Sequence, residues 1–178
     1  MEDVREIWKS IRALSDNDRR WLFAQLADWP PFQRLLSSRD GGAGKAWQPK
    51  VLFDGGSRVN PGPGYGSYAL QFSDELPQVV HLEFGGRMTN NEAEYEALIH
   101  ALEDLRGRLT ALGADPQQCE VTVQGDSRLV INQVTGVWKA REPRMLQRRD
   151  RVRKIVRSFG SVSFEEKERG EIEEVLGH

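Results

Sequence analysis

The chain has little to build metal or disulfide staples from. One cysteine, Cys119, stands in 178 residues, which excludes an intrachain disulfide. The three histidines, His81, His100 and His178, are scattered, so a Cys/His zinc site is not expected. No apolar run approaches the ~18 residues that a membrane-spanning helix needs. No signal-peptide pattern opens the chain. No membrane association is expected, and the expected location is cytoplasmic. The composition is that of a soluble globular protein with a formal net charge of −2, and the length suits one ordinary domain with a modest appendage.

The organisation reads as three parts. Residues 1–37 form a helical segment: Val4, Ile7, Trp8 and Ile11 keep the spacing of one helix face. Ser15 and Asp18 resemble a capping box, with Asp replacing the usual Glu, opening a second helix that carries Trp21, Leu22 and Leu26. Pro30 and Pro31 stop it, and a short third helix is expected around Phe32, Leu35 and Leu36. Fewer than about 40 residues rarely sustain a core alone, so this segment is expected to dock on the main domain or on a protein partner. Residues 38–49 have the glycine-containing composition of a linker. Residues 50–178 form the main domain.

In that domain VLFDGGSRVNPGPGYG, from Val51 to Gly66, is the stretch around which the rest is organised. Three apolar residues run into Asp54 and then into glycine and proline, which predicts a buried strand with Asp54 at its exit. Alternating Tyr68, Leu70 and Phe72 predict a second strand over 67–72. A turn over 74–77 and a third strand over 79–84, ended by Gly85 and Gly86, complete an antiparallel meander. Thr89 and Glu92 form a capping box that starts a helix near Asn90. Its buried stripe is Ala93, Ala97, Leu98, Ala101, Leu102 and Leu105, with Glu94 in the first turn. Residues 120–124 read as a strand with Asp126 at its exit and Ser127 capping the next helix. Taken singly, these acids have ordinary explanations as turn, dipole and cap residues. Together, two acids at strand ends and one at a helix start can converge on one sheet edge. Such a cluster needs a divalent cation to neutralise it, and oxygen-only ligands favour Mg2+ or Mn2+.

DGGSRVNPGPGYG, TNNEAEYEALIHAL and GDSRLVINQVTGVWK resemble the three signature blocks of type 1 ribonuclease H. The resemblance covers roughly residues 50–176 and is to the compact form without a basic protrusion. It implies an α/β fold, a five-stranded mixed sheet flanked by helices in the order βββαβαβα. It further implies an endonuclease that cuts the RNA strand of an RNA–DNA hybrid with two divalent ions, Mg2+ or Mn2+. Asp54, Glu94 and Asp126 match the metal-binding carboxylates. The family's fourth acid lies in a late motif, N-x-x-A-D-x-L-A. ERGEIEEVLGH aligns on it with Glu174 as the fourth ligand, and Glu173 and Glu171 are the competitors. The resemblance also implies that Asn60, Asn90 and Asn91 contact the duplex in its minor groove. It has Gly55 and Gly56 touching the RNA strand and Thr89 holding a phosphate of the DNA strand. Trp138 and Lys139 cradle the DNA backbone, and Arg128 stands where relatives carry Gln.

Ten basic residues between Arg128 and Arg157 face only Glu142 and Asp150, a one-sidedness that suggests phosphate tracking. Double-stranded RNA stays open as a substrate, since compact relatives sometimes accept it. A non-catalytic hybrid-binding module and a scaffolding protein are the other readings.

Overall fold

The computed structural model describes residues 4–27, 47–72 and 76–177. Backbone contacts divide the chain into two compact units, Met1–Lys45 and Ala46–His178. The first holds helices α1 (Val4–Ala13) and α2 (Asp16–Ala27). At the start of α2 the Ser15 hydroxyl accepts from the Asp18 N–H at 3.2 Å and donates to its carboxylate at 2.6 Å. Trp21 and Phe23 are left largely exposed. The short helix expected around Phe32, the prolines before it and linker residues 38–46 lie outside the described residues.

The second unit is a five-stranded mixed sheet. Strands β1 (Lys50–Ser57), β2 (Gly62–Gln71) and β3 (Gln78–Met88) make the antiparallel meander. Strands β4 (Glu120–Gly125) and β5 (Ser161–Glu166) add in parallel on the other side of β1. The spatial order is β3-β2-β1-β4-β5. Helix α3 (Asn90–Ala111) follows the meander, and α6 (Arg169–Leu176) follows β5. Between β4 and β5 the chain forms two helices, α4 (Arg128–Thr135) and α5 (Pro143–Val156), where the expected element order has one. Only residues 136–142 join them, which leaves no room for a basic protrusion.

Alternation along β1 divides the core. Val51 and Phe53 pack with Leu98, Leu102 and Leu105 of α3 and with Val130 and Val152 of α4 and α5. Leu52 turns to the opposite face, where it meets Ala69, Ile172 and Leu176. So α6 covers one face and the other three helices cover the other. The predicted stripe of α3 is buried throughout. Tyr95, Ile99 and Leu109 are buried as well, because α5 packs along the same helix.

Two predicted strand ends are corrected. The first strand does not stop at Asp54: Gly55 and Gly56 continue its ladder opposite Gly66 and Tyr65. The third does not stop at Gly85 and Gly86. Both glycines take φ near +62°, with register shifts in the adjoining ladder, and β3 runs on to Met88 opposite Gly62. Glycine without a Cβ bends a strand here and does not end it. Asp74 of the predicted turn lies outside the described residues. Among the described residues no helix is long and apolar enough to cross a membrane.

Candidate metal centre and substrate groove

Parallel pairing of β1 with β4 ends at Leu52 and Gln124. Asp54 lies two residues further on, still held by β2 opposite Ser67, and Asp126 follows the last residue of β4. Both carboxylates therefore sit just beyond the end of the parallel pairing of two neighbouring strands, on the carboxyl side where open α/β sheets hold ligands. Glu94 reaches them because of Gly55. A Cβ on Gly55 would lie 2.5 Å from the Ala93 carbonyl carbon and 2.6 Å from the Glu94 nitrogen. Only glycine lets α3 come that close to β1. Glu94 is the fifth residue of α3, and the acid in its first turn is Glu92.

Carboxylate oxygens of Asp54, Glu94 and Asp126 all lie within 4.8 Å of one another, on half-buried side chains. Their environment resists three negative charges. Burial, followed by repulsion from Asp126 and Asp54, pushes the Glu94 carboxyl up to about 7, although a hydrogen bond from Ser127 and the charge of Arg169 oppose the rise. Burial and then Asp54 raise Asp126 as well. The Ser127 hydroxyl makes a very short hydrogen bond to Glu94 and accepts from the Val130 N–H at the start of α4. One side chain thus caps a helix and orients a site acid, and the sequence reading caught only the cap. An oxygen-only donor set of three acids this close together fits a hard divalent cation.

Helix α6 is anchored beside the cluster, because the Lys167 N–H donates to the Gly125 carbonyl at 3.0 Å. Its buried residues are Ile172 and Leu176. At 100° per residue, Glu174 points away from the face those two define, and it is exposed. The group of oxygens within 4.8 Å of one another holds Asp54, Glu94 and Asp126 and none of the α6 acids Glu171, Glu173 and Glu174. Glu171 is also exposed and takes the Glu168 N–H at 3.2 Å. Glu173 is half-buried, and its charge contributes to raising Asp126. Its carboxylate pairs with Arg169 one turn earlier at 2.7 Å.

Beside the acids runs a groove of about 400 Å3, lined by Asn60, Thr89, Asn90, Asn91 and Lys139 together with Arg141, Glu142 and Gln133. Five residues expected to touch a duplex are thus brought together. The Asn90 side-chain oxygen accepts from the Ser57 N–H at 2.9 Å and its hydroxyl at 2.8 Å. The Asn60 oxygen accepts from the Asn90 N–H at 3.3 Å. With both oxygens engaged, these carboxamides offer a ligand their N–H donors. Thr89 is the N-cap of α3 in a complete capping box with Glu92. Trp138 is exposed just after α4. Gly55 and Gly56 are buried, Gly56 beneath the Tyr65 ring, so what they show is packing. Arg141 was not singled out as a groove residue; its place two residues after Lys139 was the available signal.

Part of the basic stretch is engaged within the molecule. Arg148 bonds Glu92 at 3.2 Å and Glu96 at 2.8 Å. Arg151 pairs with Glu103, Arg149 with Asp150, and Arg128 with Glu166 of β5. Arg153 donates to the carbonyls of Val134 and Gln133. Helix α5 is thus tied to α3 by ion pairs. It is the cationic partner of acidic α3, and Lys139 and Arg141 are the basic residues that line the groove.

A family model described as reverse transcriptase-like matches residues 53–174. The chain is similar to the ribonuclease HI of Halobacterium salinarum, at 37% identity over 114 residues, 64% of this chain and 53% of that protein. It therefore spans about half the length of that curated relative. The solved RNase H1 of the same archaeon matches with a TM-score of 0.63 at 34% identity, over 73% of this chain and 92% of that one. LC11-RNase H1, isolated from compost and solved in complex with an RNA/DNA hybrid, matches with a TM-score of 0.63 at 31% identity, over 71% of this chain and 90% of that one.

Proposed function

This chain belongs to the type 1 ribonuclease H family, and we propose that it hydrolyses the RNA strand of RNA–DNA hybrids with two divalent cations. The observation that carries the reading is the convergence of Asp54, Glu94 and Asp126, with oxygens within 4.8 Å, at the ends of β1 and β4. We propose Glu173 as the fourth acid in place of Glu174, from its half-buried position and its electrostatic reach to Asp126. Mg2+ or Mn2+ held by these oxygens supplies water activation and neutralises charge developing at the scissile phosphate.

The rest is done by the protein. Asp54, on the central strand β1, would hold the cations together with Glu94 and Asp126. Ser127 holds the Glu94 carboxylate in place through its hydroxyl. Asn60, Asn90 and Asn91 present donors to the minor groove, where the 2′-hydroxyl separates RNA from DNA. Lys139 and Arg141 supply positive charge along the groove for the second strand. The hybrid held by LC11-RNase H1, a relative of the same fold, supports the substrate.

The test is cleavage of an end-labelled hybrid by wild type and by Asp54→Asn, Glu173→Gln and Glu174→Gln, with double-stranded RNA alongside. Losses of about a hundredfold or more are expected for Asp54→Asn and Glu173→Gln, with Glu174→Gln within a few-fold of wild type. Loss in Glu174→Gln with survival in Glu173→Gln would reverse the assignment on α6. Faster cutting of double-stranded RNA than of the hybrid would overturn the substrate.

A further inference from the structure

Three features of the second unit lie outside the three-acid cluster: the cleft lined by Val134, Val156, Val162 and Phe164 with Arg153 and Arg157, the buried Cys119, and Arg169. The third is joined to the site by geometry. Arg169 is the first residue of α6, whose approach is fixed by the Lys167 N–H on the Gly125 carbonyl and by Ile172 and Leu176 beneath. Its guanidinium bonds Glu173 through Nε at 2.7 Å. The Lys167–Gly125 bond sets the start of α6 next to Asp126, the residue after Gly125. The side chain is 75% exposed, so it fills no hole and supports no core. A cation placed beside a carboxylate cluster, and bonded to the acid proposed above as its fourth member, does two things. It offsets the mutual repulsion of the acids, and it opposes the entry of a second, larger positive charge.

We propose that Arg169 is a resident counter-cation of the acid cluster, latching Glu173 through its ion pair so that an incoming divalent cation must displace it. The inference rests on the metal-site reading above. It makes Arg169 a positioning residue: it acts on the metal through Glu173. Loss of the latch frees Glu173 and removes a positive charge from the rim, and both effects favour metal. A guanidinium that instead held Glu173 ready for the metal would give the opposite sign.

The test is calorimetric titration of the full chain, stripped of metal, with Mn2+ and with Mg2+. Arg169→Gln is expected to bind about three- to tenfold tighter than wild type, with the gain shrinking as salt is raised. Arg169→Lys, which keeps the charge, is expected to stay within about twofold of wild type. In a Glu173→Gln background the gain from Arg169→Gln is expected to be mostly gone, since the two act as a pair. Unchanged or weaker binding in Arg169→Gln would overturn the proposal, as would a full gain in the Glu173→Gln background. Wild-type protein that binds neither ion would overturn the metal-site reading itself, and the inference with it.

Discussion

Glu94 shows how one residue carries the conflict built into the site. It sits one residue past the Ala93 carbonyl that crowds Gly55, it receives the Ser127 hydroxyl, and it faces two other acids. Its carboxyl is pushed up to about 7 from an ordinary value of 4.5, first by burial. A group that binds its proton more tightly folded than unfolded contributes stability that is fully present below the unfolded value and lost as pH rises through the folded one. Without divalent cations the protein is therefore expected to lose stability between about pH 4.5 and 7, on the order of 2–3 kcal/mol from this group. Urea melts in chelator across that range should show the loss, and it should be absent from the slope of Glu94→Gln. The residue scale is also where sequence reading was weakest. Asp54, Glu94 and Asp126 were legible because each falls in a block whose local pattern is strong. On α6 the choice among Glu174, Glu173 and Glu171 was not legible, because alignment on the leucine of the family motif sets Glu174 in register, while exposure is governed by which residues pack on the sheet. With Ile172 and Leu176 buried, Glu173 is half-buried and Glu174 exposed.

At the scale of elements, the packing of α5 on α3 is governed by a buried charge. Glu92 is 3% exposed, caps α3 with Thr89, and receives Arg148 at 3.2 Å and Arg144 at 3.7 Å. Burial alone would raise its carboxyl, yet the Thr89 bonds and the two arginines hold it below the usual value. Arg148→Ala strips this carboxylate, and Glu96 beside it, of the nearest cation. A loss of about 2–4 kcal/mol is expected, since an acid left buried with too little compensation is costly. Denaturant melts would read it, and a loss under about 1 kcal/mol would mean that Arg144 takes over. This network engages part of the basic stretch. Ten basic residues between 128 and 157 suggest a nucleic-acid face when counted along the chain. The partners of three of them, Arg144, Arg148 and Arg151, are Glu92, Glu96 and Glu103 on a different helix, and only the tertiary packing brings these together. Strand ends were misjudged for a related reason. Glycines at 55–56 and 85–86 read as punctuation, whereas Gly55 admits a helix and Gly85 and Gly86 bend a continuing strand.

At the scale of the whole molecule, the meander, the long helix after it and the place of the acids at one sheet edge were present in the pattern of apolar residues and caps. The second helix between β4 and β5 was not resolved from the first, because Gly136 to Glu142 carries turn residues too briefly to mark a separate element. The unit Ala46–His178 has its own core, and Trp47 belongs to it. The Trp47 carbonyl accepts from the Glu120 N–H at 2.8 Å, the Pro49 carbonyl from the Thr122 N–H at 3.0 Å, and the Trp47 ring meets Phe72 edge-on at 6.3 Å. A truncation that begins at Ala46 is expected to fold and to keep cleavage within a few-fold of the full chain, whereas one that begins at Lys50 is expected to melt several degrees lower. Thermal melts of the pair check this directly. The central claim, metal-dependent hydrolysis of RNA at the three-acid cluster, is tested most directly by the products from a hybrid labelled on each strand, analysed by mass after incubation with Mg2+ or with chelator. The account predicts cuts in the RNA strand alone, only with metal, leaving 3′-hydroxyl and 5′-phosphate ends. Cyclic phosphate ends, cuts in the DNA strand, or cleavage that survives the chelator would contradict it.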